Sequence, residues 1–67
     1  MWAVGKFFIM GGLVDFEGYV KVFKDFHKAM EYAFEQTVVG GESEYFHVER
    51  MSEEMVRAGG IDDLIES

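Results

Sequence analysis

The chain contains no cysteine, which excludes a disulfide framework and any thiolate metal site and suits a reducing, cytoplasmic setting. It has no internal repeat and no low-complexity tract. It also lacks a long apolar run. Met1 to Val14 carries one charge, Lys6, but this stretch is shorter than the roughly 20 residues needed to span a bilayer. It has neither a basic leader nor a small-residue cleavage pattern. We read it as a buried strand, and no membrane association is expected.

Basic residues are few. Six Lys and Arg face 13 Asp and Glu, for a net charge of −7. In residues 1–34 the lysines Lys6, Lys21, Lys24 and Lys28 cancel Asp15, Glu17, Asp25 and Glu31. The whole imbalance therefore falls in residues 35–67, where only Arg50 and Arg57 oppose Glu35, Glu42, Glu44, Glu49, Glu53, Glu54, Asp62, Asp63 and Glu66. Such a block repels phosphate and favours a basic protein surface, so direct nucleic-acid binding is not expected.

What the chain does have is apolar and aromatic content: 49% hydrophobic residues, with seven Phe, three Tyr and one Trp, enough for a folded domain. Its length of 67 residues allows one domain, which buries only about 60% of the surface its unfolded chain exposes. Small domains without staples often complete their core by self-association. A homodimer and a monomer are equally compatible with this composition.

Local patterns give the element order. The run W-A-V-G-K-F-F-I-M, closed by Gly11-Gly12, reads as a strand covered on both faces. After a hairpin loop over 11–15, residues from Phe16 alternate. Phe16, Gly18, Val20 and Val22 then share one side, and Glu17, Tyr19, Lys21 and Phe23 the other. Asp25 is a helix N-cap. The following segment places Phe26, Ala29, Met30, Ala33, Phe34 and Val38 on one apolar stripe, with Lys28, Glu31, Glu35 and Gln36 on the wet side. Gly40-Gly41 stops this helix. A third strand alternates through E-S-E-Y-F-H-V-E-R-M, and Ser52 caps a short helix ended by Gly59-Gly60. These elements predict an α+β fold: a ββαβ core over 1–51 with a three-stranded antiparallel sheet of order 2-1-3 and one packed helix, then a short helix and acidic amphipathic tail over 52–67.

The residues Val22-Phe23, Asp25, Lys28-Ala29, Tyr32-Ala33 and Glu35, followed by Glu44-Tyr45-Phe46-x-Val48-Glu49, form a pattern that resembles many small uncharacterised ββαβ proteins of bacteriophage and bacterial genomes. The resemblance covers residues 2–51. It implies a small accessory or host-modulating protein and carries no catalytic residues to transfer.

Chemistry-bearing groups are sparse. His47-x-Glu49 places an imidazole and a carboxylate on one strand face, yet a zinc site needs at least three protein ligands and the sequence offers no third. The glycine pairs lack the P-loop lysine and the dinucleotide spacing, and no serine lies in a nucleophile elbow. We expect no enzyme, no cofactor and no metal.

Binding is better supported. The sheet face away from the long helix is expected to carry Tyr19, Phe23, Tyr45 and Met51, with Lys6, Lys21, His47 and Glu49. If Lys6 marks the wet side of strand one, it also carries Trp2, Val4, Phe8 and Met10. Large bare apolar patches are rare, so this face needs cover, either as a dimer interface (Trp2, Phe8, Tyr19, Phe23, Tyr45) or from the C-terminal segment. In the tail, Ile61, Leu64 and Ile65 share one side of a helical turn, with Asp62, Asp63 and Glu66 elsewhere. Two fates are open to it: closing the sheet face, or docking on a partner. The candidate partner-binding set is Glu49, Glu53, Glu54, Ile61, Asp62, Asp63, Leu64 and Ile65. The reading that follows is a small acidic interaction or regulatory protein acting on a basic surface of a host protein. The alternative is an acidic DNA mimic built from Glu42, Glu44, Glu49, Glu53 and Glu54.

Overall fold

Gly11 and Gly12 both hold positive φ, 57° and 81°, as a two-residue type I′ hairpin turn requires at its two central positions. The computed structural model, which describes residues 1–66, therefore joins β1 (Trp2–Met10) to β2 (Leu13–Phe23) more tightly than the expected 11–15 loop. Leu13 to Asp15 already belong to the ladder, opposite Met10, Ile9 and Phe8.

The rest of the order follows the sequence reading. Asp25 caps α1 (Phe26–Gly40), its carboxylate accepting from the His27 amide at 2.8 Å, and Gly41 ends it at φ 67°. β3 (Glu44–Arg50) returns to pair with β1, giving an antiparallel sheet of order β2-β1-β3. The apolar β1 takes the central place and is buried at Ala3, Val4 and Gly5. Ser52 caps α2 (Glu53–Ala58) through the Met55 amide, and a 3-10 turn, η1, spans Asp62–Leu64.

The faces of β2 depart from simple alternation. Val4 opposes Lys21 while Gly5 opposes Tyr19, and Lys6 opposes Gly18 while Phe7 opposes Phe16. Val20 and Glu17 are therefore extra residues at two bulges, and each bulge moves the following side chains to the other face. Gly18, at φ 117°, sits between them. The helix-side core consists of Val4, Phe23, Ala29 and Ala33, with Trp2, Val20, Tyr32, Phe46 and Val48 packed against it. Trp2 and Phe23 thus lie beneath α1 and not on the opposite face. Phe8 follows Trp2 and Val4 by alternation along β1. Tyr19, Tyr45 and Met51 stand on the far face as expected. The five residues grouped as a dimer face are therefore divided between the two sides of the sheet.

The helix is also rotated from its expected setting. Ala29 and Ala33 are buried, whereas Met30, Phe34 and Val38 are 46%, 72% and 64% exposed and Gln36 is half-buried. A hydrogen bond explains the rotation. The Thr37 hydroxyl donates to the Ala33 carbonyl at 2.7 Å and accepts from the Phe46 amide at 2.9 Å. That pairing ties the Ala33–Thr37 side of α1 to β3. The two alanines then let the backbones approach, and the larger side chains turn outward.

On the far face the C-terminal segment closes half of the sheet. Val56 is fully buried with Ala3 and Val22, and Met1, Tyr19, Met51, Ile61, Leu64 and Ile65 pack around them. Ile65 bridges Val22 in parallel, and the Glu66 amide donates to the Val22 carbonyl at 2.7 Å. The tail is thus spent largely on its own domain.

Candidate functional site

Pinning the apolar side of the C-terminal segment decides where its charges go. Glu53 and Glu54 occupy the first turn of α2, where carboxylates suit the positive end of the helix dipole. Asp62 and Asp63 open η1. All four are exposed, while Ile61, Leu64 and Ile65 face inward. Glu53 pairs with Arg57 one turn later at 2.8 Å. Glu54, Asp62 and Asp63 have no ion-pair partner among the described residues. Exposed carboxylates thus stand on both α2 and η1, elements joined where the Ile61 amide donates to the Val56 carbonyl at 3.1 Å, and residues 53–63 are termed the acidic ridge.

The five acids of the DNA-mimic alternative do not share one surface. Glu44 stands on the helix side and binds Lys6 at 2.8 Å. Glu49 stands on the far face and accepts a hydrogen bond from the Tyr19 hydroxyl. The pairing with Glu44 raises the Lys6 ammonium pKa above its ordinary value, and the hydrogen bond from Lys21 to Glu66 at 2.7 Å does the same for Lys21.

The uncovered half of the far face is aromatic. Gly5 is flanked across the sheet by Tyr19 on β2 and His47 on β3, and Phe7 by Phe16 and Tyr45. Phe7 stacks on Tyr45 with ring centres 4.9 Å apart and planes 8° apart. Phe16 lies 5.1 Å from Phe7 and 5.0 Å from Tyr19, steeply tilted to both. A Cβ on Gly5 would meet the Phe16 ring at 2.8 Å, the Phe7 ring at 3.5 Å and the Tyr19 ring at 3.6 Å. With no side chain on Gly5 the Phe16 ring settles against its backbone, and beside these rings an open hollow of about 200 Å³ is lined by Gly5, Phe7, Phe16, Tyr19, His47 and Glu49. The hydrogen bond to Glu49, with burial added, pushes the Tyr19 phenol up to about 12. Tyr19 therefore stays protonated and holds one oxygen of Glu49.

The sequence reading placed Tyr19, Tyr45, His47 and Glu49 on this face. It missed Phe16 because the bulges that bring it over Gly5 leave no mark in an alternation pattern, and it missed Phe7 and Gly5 because Lys6, taken to mark this face, stands on the helix side with Glu44. Among the described residues no three His, Asp or Glu side chains gather as a metal site, and no helix is long and apolar enough to cross a membrane. The chain matches no family model, no curated protein and no solved structure.

Proposed function

We propose that this chain is a small acidic interaction protein that regulates a partner by binding its basic surface through the ridge formed by α2 and η1. One observation carries the reading. Val56, Ile61, Leu64 and Ile65 of the C-terminal segment are consumed by the domain, while Glu54, Asp62 and Asp63 stay exposed, with no ion-pair partner among the described residues. Carboxylates held at fixed positions on a packed element lose little freedom on binding. They also attract a basic partner over about a Debye length.

The test is affinity capture from host lysate with the parent chain and with Glu54→Lys/Asp62→Lys/Asp63→Lys. The three reversals add six charges and bring the net charge from −7 to −1, at positions that bury nothing. A partner retained by the parent at low salt should be released as salt rises and should not be captured by the triple variant. Capture unaffected by both salt and the reversals would defeat the proposal.

A further inference from the structure

We infer that the hollow lined by Gly5, Phe7, Phe16, Tyr19, His47 and Glu49 is an arginine-binding pocket, which receives one guanidinium side chain from the basic partner surface proposed above. The inference rests on that reading and adds a second, chemically specific contact to it.

Size comes first. A hollow of about 200 Å³ is below the roughly 300–1,000 Å³ of small-molecule sites, so it suits one inserted side chain. Shape and electrostatics then select that side chain. Phe7, Phe16 and Tyr19 present rings inclined at 51° and 69° to one another, and the negative face of an aromatic ring attracts a cation. Glu49 adds a full negative charge at the rim. Tyr19 engages its Oε2, which orients the carboxylate and leaves Oε1 as an acceptor. The chain's net charge of −7 favours cations here over neutral or anionic guests.

Arginine fits this wall better than lysine. Its planar guanidinium stacks on a ring and keeps N–H groups at its edge for a carboxylate, whereas an ammonium is more strongly hydrated and loses more on leaving water. Phe16, 51% exposed, is the ring the guanidinium would cover. Tyr19 has a place in both halves of the far face. It packs with Val22, Val56 and the tail on one side and lines the hollow on the other.

The experiment titrates the ¹⁵N-labelled full chain with N-acetyl-arginine amide and, separately, with N-acetyl-lysine amide. Arginine amide should shift the amides of Gly5, Phe7, Phe16, Tyr19 and Glu49. Glu49→Gln should bind it about three- to five-fold more weakly, the scale of one exposed ion pair. The dispersion of the remaining resonances reports that each variant is folded. Phe16→Ala, at an exposed ring, should weaken binding as well. Shifts scattered elsewhere, affinity unchanged in Glu49→Gln, or equal binding of lysine amide would overturn the inference. Glu49→Gln leaves the ridge intact. If it weakens arginine-amide binding yet captures the lysate partner as well as the parent does, the hollow is not the partner's anchor, and the ridge reading stands alone.

Discussion

At the scale of single residues, the pair Tyr19–Glu49 does more than fill space. The phenol donates to the carboxylate, and the folded state holds the Tyr19 proton to about 12, against an ordinary value near 10. A group whose pKa is raised on folding stabilises the fold while it is protonated in both states. That contribution is complete below about pH 10 and is lost as pH rises toward 12. Among the three tyrosines, Tyr19 is therefore expected to ionise late in a tyrosinate absorbance titration. Glu49→Gln should move this late step to lower pH, and a titration indistinguishable from the parent's would refute the assignment. Gly5 acts at the same scale by omission, since any side chain there would run into the Phe16 ring that packs against it.

At the scale of elements, α1 and the C-terminal segment contribute in opposite ways to their apparent composition. The long helix looks strongly amphipathic but anchors through two alanines, while the short acidic segment supplies a fully buried Val56. Val56→Ala removes two methyl groups from a packed site and should cost about 2 kcal/mol. Phe34→Ala, the larger truncation, removes an outward ring and should cost less than about 0.5 kcal/mol. Urea denaturation of the two variants checks this order, and a reversed ranking would contradict the packing described here. For a domain whose total stability is about 3–10 kcal/mol, the Val56 loss is substantial.

Elements were the most legible part of this sequence. The caps at Asp25 and Ser52, the glycine stops and the apolar central strand each express a local rule, and those rules decided the order β-β-α-β and the sheet 2-1-3. Facing was less legible. An extra residue in β2, Val20, is set by register with β1, a non-local property, so Phe23 was assigned to the wrong side; Trp2 was misassigned because Lys6 lies on the helix side, paired with Glu44, and so does not mark the far face. The rotation of α1 depends on Thr37 meeting Phe46, again a contact between elements and not a feature of either. The ridge was readable because charge blocks and i, i+3, i+4 spacing are local. The hollow was half readable: Tyr19, His47 and Glu49 were on the expected face, but Phe16 came to it only through the bulges and Phe7 because Lys6 turns to the helix side.

For the whole molecule, charge and core are segregated along the chain. The first half supplies most of the sheet and the packed helix, while the second half carries the surplus of seven negative charges and closes the far face. Seven surplus charges on a body of 35 × 22 × 16 Å repel one another at low ionic strength. Raising salt from about 0.01 M to 0.15 M shortens the screening length from about 30 Å to 8 Å. Thermal unfolding should therefore shift upward over this range, and the shift should shrink in the triple lysine variant. A melting temperature that falls with added salt would show that the ion pairs of Lys6 with Glu44, Lys21 with Glu66 and Arg57 with Glu53 outweigh the repulsion.

The Thr37 hydroxyl has a consequence for how these molecules behave in a crowd. β3 is a border of the sheet, and the Phe46 amide that Thr37 receives points away from β1, toward where the carbonyl of an incoming foreign strand would bind. The hydroxyl acts as a plug: it offers an oxygen at 2.9 Å and brings the bulk of α1 with it, so an incoming strand cannot pair at this rung. Thr37→Val keeps the volume but withdraws that oxygen. Beyond a loss of about 1 kcal/mol, the variant should show concentration-dependent light scattering that the parent lacks at the same concentration. Equal scattering would mean that solubility at this border is set by charge instead.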